Sequence, residues 1–298
     1  MPIQKSPIES TWTILKIIHW ATSYFKSNQI DSPRLTIEIF LAHVLGVERI
    51  DLYLAFDQPL HAAELTLLKS MIKRRLNREP VAYITGKKEF FGIDFDVSPG
   101  VLIPRPETEF LVEEALKFIP ESSFSKPISV LDMGTGSGAI IISLSKNRPG
   151  HHFFATDISV PALSIAAANA KKLNIKNIHF FAGDWFSPFE QNKPGFDVIV
   201  SNPPYIPVND IVHLAPEITQ YEPVLALDGG NDGMNSLRKI IEDAPAYLNP
   251  EGMMLLEIGH DQQVKVQQAL ENSSKLKLEK FIKDYGEHER VAVIRKKI

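Results

Sequence analysis

The spacing of apolar residues divides the chain into a helical first part and an alternating second part. Up to about residue 84, apolar residues such as Ile37, Phe40 and Leu41 recur at helical spacing, which is typical of amphipathic helices. The dipeptide Ser32-Pro33 predicts a helix start, with Ser32 as the N-cap and proline at the first helical position. We therefore expect residues 1–84 to form a small all-α domain, with a role in docking a substrate.

The pattern changes after this helical part. Residues 88–97 alternate between apolar and polar side chains around Gly92, which predicts a β-hairpin. Two prolines stiffen the segment that follows, and a helix is predicted to run from there through Phe118. We assign residues 85–110 to a hairpin and linker between two domains.

Residues 111–298 are predicted to form the second domain, in which short apolar strands alternate with helices. The predicted strands are 129–131, 153–155, 178–181, 196–200, 252–258, 277–279 and 291–294. The predicted helices are 139–145, 162–172, 234–248 and 262–270. Repeated βα units indicate an α/β fold, with a mostly parallel, Rossmann-like sheet and helices on both faces.

The most informative motif follows the strand at residues 196–200. It reads Ser201-Asn202-Pro203-Pro204-Tyr205. Neither proline has an N–H group, so the strand must stop there and its carbonyls are not used by a continuing ladder. The amide oxygen of Asn202 and the carbonyls of the prolines can accept hydrogen bonds from a flat NH₂ group, with Tyr205 against its face. An ordinary strand-ending turn is the alternative interpretation.

A glycine-rich loop follows the first predicted strand of this domain. Gly134, Thr135, Gly136, Ser137 and Gly138 lie between strand and helix, and glycines allow a ligand to approach the backbone. The spacing is neither that of a dinucleotide site nor that of a P-loop. About twenty residues later, Asp157 ends the next strand, where an acid can accept both hydroxyls of a ribose. This combination indicates a nucleoside site.

A third strand end adds a carboxylate and an aromatic ring. Asp184-Trp185 follows the predicted strand at residues 178–181. There the carboxylate can bind an adenine amino group and the indole can stack on its ring. Asp184 alone would more often be a turn residue.

Composition restricts the classes of function. The chain has 298 residues, no cysteine and a net charge of −4, which excludes disulfides and thiolate metal sites and argues against a broadly basic nucleic-acid surface. It shows no signal peptide and no long apolar run, so we expect a soluble, cytoplasmic monomer without a metal. The basic run Lys73, Arg74, Arg75 and Arg78 is either a solvated helix end, favoured by the helix dipole, or a docking patch for an acidic or RNA-associated partner.

Together these motifs resemble the class I S-adenosylmethionine-dependent methyltransferases, and more narrowly the release factor glutamine methyltransferases of the PrmC/HemK family. The resemblance covers nearly the whole chain. The matching blocks are residues 92–97, 103–109, 131–138, 183–186, 201–207, 221–223, 226–227, 232–233, 284–286 and 290–292. The Asn-Pro-Pro-Tyr block alone is shared with adenine-N6 methyltransferases. Its combination with Ile-Pro-Arg-Pro-Glu-Thr-Glu at residues 103–109 and with a helical first domain is specific to this family.

The resemblance implies methyl transfer from S-adenosylmethionine to the side-chain amide nitrogen of glutamine in the Gly-Gly-Gln motif of class I peptide chain release factors, with S-adenosylhomocysteine as product. Residues 134–138 would hold the methionine part of the cofactor, Asp157 its ribose, and Asp184 with Trp185 its adenine. Residues 202–205 would hold the substrate amide, and the helical domain would contact the release factor.

Two other functions fit parts of the pattern. A nucleic-acid adenine methyltransferase can use the same Asn-Pro-Pro-Tyr loop for a flipped base, but it would require a basic cleft or a target-recognition domain. A methyltransferase-like scaffold without activity is the second, and the intact glycine loop, Asp157 and Asn202 argue against it.

Overall fold

The computed structural model describes residues 11–121, 126–191 and 195–297. The chain divides into two compact units, Met1–Thr85 and Gly86–Ile298. Among the described residues, no helix combines the length and the apolar character needed to cross a membrane.

The first unit is helical. Its helices are α1 (Ile14–Ser27), α2 (Pro33–Leu45), α3 (Asp51–Leu54), α4 (Ala62–Leu76) and α5 (Val81–Thr85). The apolar faces predicted from the 3.6-residue spacing enclose a core of their own, in which Phe25 and Phe40 are fully buried with their rings edge to face. Helix α2 begins at Pro33 as predicted, but the predicted cap is wrong. Ser32 has a φ of 48° and its side chain makes no capping hydrogen bond.

Three of the four residues in the basic run at the end of α4 have hydrogen-bond partners within this unit. Arg74 donates to the Glu79 carboxylate, the buried Arg75 donates to the Glu79 carbonyl, and Arg78 donates to the carbonyls of Asn28 and Gln29. The run therefore helps to hold the end of α4 in place, which favours the structural interpretation over a docking patch.

The second unit begins with the predicted hairpin, formed by β1 (Lys87–Phe90) and β2 (Ile93–Asp96). Both residues of its turn have positive φ, 53° at Phe91 and 69° at Gly92, which suits the twist of a tight hairpin. The remaining helices and strands of this unit follow along the chain, with helices and strands alternating from α6 to β5. They are α6 (Glu109–Leu116), β3 (Ser129–Met133), α7 (Ala139–Asn147), β4 (His152–Asp157), α8 (Val160–Lys172), β5 (Ile178–Ala182), β6 (Phe196–Ser201), α9 (Val208–Ile211), α10 (Pro216–Tyr221), α11 (Asn235–Asp243), β7 (Leu248–Glu257), α12 (Gln263–Glu271), β8 (Leu276–Lys283) and β9 (Glu289–Lys296).

The main sheet has the order β5-β4-β3-β6-β7-β9-β8. Strands β3 to β7 are parallel, and β9 is antiparallel to both of its neighbours. The central strands are buried almost throughout, as expected for a parallel sheet covered by helices. This arrangement confirms the predicted α/β fold with a mostly parallel sheet, a preceding helical part and a hairpin.

The predicted end of the helix at residues 234–248 is wrong. The helix predicted to run through Leu248 ends at Asp243, and Leu248 instead begins β7 and pairs with Phe196 of β6. Pro245 explains the early end, because a proline cannot donate to the preceding helical turn. The ring of Tyr247, just beyond it, stacks on Phe186 with centroids 4.4 Å apart, which fixes the chain as it enters the strand.

Candidate active site

The register of the sheet brings four strand ends to one edge. Met133 of β3 lies opposite Thr156 of β4 and Ser201 of β6, and Asp157 lies opposite Ala182 of β5. The glycine loop, Asp157, Asp184 and Asn202 all follow these positions. Each sequence motif therefore lies at the carboxyl edge of the sheet, where ligands bind in open α/β folds. The hydroxyl of Ser201 donates to the carbonyl of Met133 at 2.7 Å, so Asn202 begins directly beside the glycine loop.

The glycine loop is held by its own backbone. Gly134, Gly136 and Gly138 have φ values of 70°, 57° and 83°, in the left-handed region that glycine adopts without a steric cost. The N–H groups of Gly134 and Thr135 both donate to the Thr156 carbonyl, at 2.8 and 3.0 Å. These bonds fasten the loop to the neighbouring strand and present its backbone to the space above the sheet.

A buried asparagine connects this loop to the hairpin. Asn169 of α8 is fully buried. Its side-chain NH₂ donates to the carbonyls of Ser137 and Asp96, at 2.9 and 3.0 Å, and its oxygen accepts from the Asp96 N–H at 2.9 Å. The end of the hairpin is thus fixed against the ligand-facing loop, a contact that the sequence did not predict.

Asp157 lines the site and also forms hydrogen bonds that hold the surrounding backbone in place. One carboxylate oxygen accepts from the Ser159 N–H and the other from the Gly136 N–H, each at 2.8 Å. Burial raises the pKa of Asp157, and the two backbone N–H groups oppose that rise. Since each carboxylate oxygen can accept more than one hydrogen bond, Asp157 retains acceptor capacity for a ligand hydroxyl.

A second carboxyl group lies beneath the loop. Asp132 is fully buried and accepts from the Thr135 hydroxyl at 2.6 Å. Its other oxygen has no hydrogen-bond partner among the described residues. Burial raises the pKa of Asp132 to about 7, and the nearby Asp157 adds to the rise.

The third motif places an aromatic ring against the glycine loop. Trp185 has a φ of 48°, an uncommon value for a bulky residue, and the stacking of the next residue, Phe186, on Tyr247 holds this turn in place. A β-carbon added to Gly134 would lie 3.6 Å from the Trp185 ring. Asp184 is exposed beside it.

These elements enclose a cavity of about 270 Å³, called here the loop cavity. Glycine backbone, two carboxylates, an indole and several apolar side chains line it. Its lining includes Gly134, Gly136, Asp157, Asp184, Trp185 and Asn202. Of the predicted cofactor residues, Thr135, Ser137 and Gly138 do not line it, because Thr135 and Ser137 are buried in the loop and Gly138 packs against α8.

Asn202 lies between the loop cavity and a second one. Its side-chain NH₂ donates to the Thr108 hydroxyl at 3.1 Å, and this is the only hydrogen bond of the Asn202 side chain among the described residues, so its oxygen has no partner there. The side chain of Pro203 is buried, whereas Pro204 lines the loop cavity. Within the described part of the chain, no backbone hydrogen bond reaches the carbonyl of either proline. The carbonyl of Tyr205 is occupied, since Gln262 donates to it at 2.9 Å.

The second cavity, called here the Glu257 cavity, has a volume of about 340 Å³. Asn202, Leu102 and Ala226 line both cavities. The polar residues of the Glu257 cavity are Arg105, Glu107, Asn202, Tyr205, Glu257 and Arg290. The Asn202 side chain is therefore accessible from both the loop cavity and the Glu257 cavity.

Sequence reasoning missed the polar partners around the Glu257 cavity. The sequence pattern assigns no role to Thr108, which lies in the block at residues 103–109, or to Glu257. Glu222, in the block at residues 221–223, pairs with Arg105 at 2.5 Å and accepts from the Ile103 N–H at 3.2 Å. It fixes the proline-rich segment that carries Thr108.

Comparison with known proteins identifies the family of this chain. A family model described as PrmC N-terminal domain matches residues 16–86, and a second, described as methyltransferase domain, matches residues 124–291. The release factor glutamine methyltransferase of Geobacter sulfurreducens is 42% identical over 248 residues, covering 83% of this chain and 84% of that protein. The chain belongs to the release factor glutamine methyltransferase family. The resemblance stated from the sequence motifs is thereby confirmed.

The similarity to this family extends over both units. The release factor glutamine methyltransferase of Rhodopirellula baltica is 35% identical over 290 residues, which cover 97% of this chain and 98% of that protein. Among solved structures, a methyltransferase from Pyrococcus furiosus aligns with a TM-score of 0.51 and 21% identity, covering 77% of this chain and 98% of that chain. That structural likeness shows the shared fold.

Proposed function

We propose that this chain transfers a methyl group from S-adenosylmethionine to the side-chain amide nitrogen of glutamine in the Gly-Gly-Gln motif of class I peptide chain release factors. Family membership supports the reaction. The observation that carries its assignment to this site is the position of Asn202, which lines the loop cavity and the Glu257 cavity and whose amide oxygen has no partner among the described residues.

The residues of the loop cavity fit the cofactor. Side-chain-free backbone at Gly134 and Gly136 suits the close approach of its amino-acid part. The Asp157 carboxylate retains acceptor capacity for ribose hydroxyls, and the Trp185 ring offers a flat face for adenine, with Asp184 beside it. When bound, S-adenosylmethionine supplies an electrophilic methyl group on a sulfonium.

The chain itself positions the acceptor. An amide nitrogen is a poor nucleophile because its lone pair is delocalised into the carbonyl. We assign to the Asn202 oxygen and the Pro203 carbonyl the hydrogen bonds from the two amide hydrogens of the substrate glutamine, with Pro204 and Tyr205 as walls. These acceptors aim the nitrogen and stabilise the positive charge that develops on it. Such placement of reactants can lower a barrier by roughly 7–11 kcal/mol.

Each part of the chain has its own proposed role. We assign residues 1–84 to docking of the release factor, residues 85–110 to the hairpin and linker, and residues 111–298 to methyl transfer. We propose a monomer, and the net charge of −4 suits a protein without direct nucleic-acid contact. We place it in the cytoplasm, because its proposed substrates act on ribosomes.

The test is mass spectrometry of the Gly-Gly-Gln peptide from a class I release factor incubated with the enzyme and S-adenosylmethionine. We expect one methyl group on the glutamine. Asn202→Ala should reduce turnover by at least about a thousandfold while leaving cofactor affinity within about tenfold, since most of the loop cavity is unchanged. Methyl transfer to DNA or RNA but not to the release factor would contradict the proposal, as would normal turnover in Asn202→Ala.

A further inference from the structure

Glu257 is a buried carboxylate with unused hydrogen-bonding capacity. The residue is 1% exposed and lines the Glu257 cavity. Among the described residues it accepts one hydrogen bond, from the Tyr205 hydroxyl at 3.4 Å, and its second oxygen has no partner there. An ionised carboxylate can accept about four hydrogen bonds, and burying it without donors is costly. The cavity therefore contains an acceptor that a ligand with N–H groups would satisfy.

Glu257 lies one strand away from the proposed substrate loop. Leu256, which precedes it on β7, is paired with Ser201 of β6, and Asn202 follows Ser201. Asn202 and Glu257 are therefore the next residues along two adjacent parallel strands, which are spaced about 4.8 Å apart. Both residues line the same cavity. A ligand group held by Glu257 would thus lie about one side-chain length from a group held by Asn202.

Two guanidinium groups line the same cavity. Arg105 donates to Glu222 at 2.5 Å, and Arg290 donates to Asp284 at 2.9 Å. Each guanidinium group has five N–H donors, more than its hydrogen bonds within the described part of the chain use. These ion pairs hold the guanidinium groups in place and leave donors for an acceptor on a ligand.

The combination of one carboxylate and two guanidinium groups restricts the chemical class of the ligand. A cation would suit Glu257 but would be repelled by the arginines, and an anion would be repelled by the carboxylate. Within the described ranges, no group of three or more His, Asp or Glu side chains could hold a metal ion. A peptide group is neutral and carries both an N–H donor and a C=O acceptor, so it can satisfy both kinds of side chain.

The Glu257 cavity adjoins other spaces on two sides. It shares Asn202 with the loop cavity, and it shares Glu107 and Arg290 with a third cavity of about 320 Å³. The third cavity is lined by Tyr285, which is 93% exposed. A peptide chain can therefore approach from the protein surface at Tyr285 while one of its side chains reaches Asn202.

We propose that the Glu257 cavity is the subsite for the substrate backbone, in which Glu257 accepts the backbone N–H of the glutamine that is methylated. This N–H is the peptide donor separated by the fewest bonds from the side-chain amide that Asn202 is proposed to hold. Arg105 and Arg290 supply donors for neighbouring carbonyl groups. The inference rests on the proposed function, because it describes how the same substrate is held.

The experiment removes each partner of this hydrogen bond separately. The Gly-Gly-Gln peptide is compared with an analogue in which an ester replaces the amide between the last glycine and the glutamine, so that the glutamine N–H is absent. A second analogue has its ester in the bond after the glutamine and serves as the substrate control.

The proteins are the wild type, Glu257→Ala, Glu257→Gln and Glu271→Gln. Glu271 is the matched control, because it is an exposed glutamate of α12 that lines none of the three cavities. For each protein, kcat and KM are measured with each peptide, together with the melting temperature.

We expect the ester at the glutamine N–H to lower kcat/KM of the wild type by at least about tenfold, because a hydrogen bond to a carboxylate is lost. In Glu257→Ala the same ester should lower kcat/KM by less than about threefold, since the acceptor is already missing. Glu271→Gln should show the wild-type loss. The control ester should cause equal losses in the wild type and in Glu257→Ala. A purely structural role of Glu257 would instead lower kcat/KM by the same factor for the amide and the ester.

A loss of less than about threefold with the glutamine ester in the wild type overturns the inference, as does an equal loss in the wild type and a folded Glu257→Ala. If Glu257→Ala does not fold, Glu257→Gln decides, because glutamine keeps the shape without the charge. Its loss must be at least about threefold smaller than that of the wild type, and an equal loss overturns the inference. These outcomes leave the proposed function intact. A wild type that methylates no Gly-Gly-Gln peptide contradicts the proposed function itself, and the inference is overturned with it.

Discussion

The carboxylate of Asp157 is already bound by the protein before a ligand is considered. It accepts the N–H groups of Gly136 in the glycine loop and Ser159 at the start of α8. Hydrogen bonds to a charged acceptor are worth about 1.5–3 kcal/mol each. The residue proposed to bind the ribose therefore also sets the shape of the loop that faces the cofactor.

Asp157→Ala tests both roles. We expect the affinity for S-adenosylmethionine to fall by at least about tenfold in calorimetry, because the ribose acceptor is lost and the loop is released. The free energy of unfolding without cofactor should fall by roughly 1–3 kcal/mol. Asp94→Ala, an exposed substitution in the hairpin, is the control. An unchanged affinity would remove Asp157 from the binding site.

Asp132 predicts how stability depends on pH. Burial raises the pKa of this carboxyl group to about 7 from an ordinary value of 3.8. Since the unfolded chain ionises first, the stability contributed by the protonated form is complete below about pH 4 and is lost as the pH rises to about 7, at about 1.4 kcal/mol per pH unit. Chemical denaturation should show a smaller loss between about pH 5 and about pH 8 in Asp132→Asn than in the wild type. Equal losses would contradict this assignment.

Which residues could be predicted from the sequence depends on how far their partners lie along the chain. Asp157 ends a strand, and Asp184 and Asn202 follow closely after strand ends. Strand ends are visible in the local pattern of apolar residues. The bond from Asn202 to Thr108 joins residues 94 positions apart, and Glu257 approaches Tyr205 across 52 positions. Those contacts depend on strand order and register, which local spacing does not determine.

At the scale of elements, two of the three glycines in the glycine loop, Gly136 and Gly138, differ in why a larger residue would not fit. A β-carbon on Gly136 would meet nothing within 4 Å, whereas one on Gly138 would lie 2.8 Å from the Ile142 side chain and 3.1 Å from the Ala166 β-carbon. Both have a positive φ. Gly136 is thus required for backbone conformation alone, and Gly138 also for the close packing of the loop on α8.

The two alanine substitutions should therefore differ. Gly136→Ala is expected to reduce the free energy of unfolding by about 1–2 kcal/mol, the cost of a left-handed conformation. Gly138→Ala should lose a further 1–3 kcal/mol or so from overpacking against α8. Urea denaturation without cofactor measures both, with the wild type as reference. Equal losses would show that α8 moves away without cost.

Helices and strands could be predicted where a short run of neighbouring residues determines them. The alternation of βα units follows from short apolar segments, whereas the end of α11 was placed too late because apolar residues continue past Pro245 into β7. The predicted Ser32 cap is also absent, because the dipeptide pattern does not determine the backbone conformation of Ser32. A serine before a proline indicates a helix start, but its left-handed φ of 48° is not encoded in that dipeptide.

At the scale of the whole molecule, each unit has its own apolar core. Phe25 and Phe40 are buried in the first unit, and Leu131, Ile199 and Met254 in the second. All residues that line the loop cavity and the Glu257 cavity belong to the second unit, from Gly100 onward. The parts proposed for chemistry and for docking are therefore separable along the chain.

A chain that begins at Gly86 tests this separation. Since every lining residue is retained, we expect it to bind S-adenosylmethionine within about tenfold of the full chain and to methylate the Gly-Gly-Gln peptide. It should lose most of the preference for an intact release factor over the peptide, measured as the ratio of kcat/KM values, because the proposed docking surface is absent. Circular dichroism and cofactor binding establish that the shortened chain is folded. If the folded short chain keeps the full preference for the intact factor, recognition lies in the second unit and the proposed docking role of the helical unit is wrong.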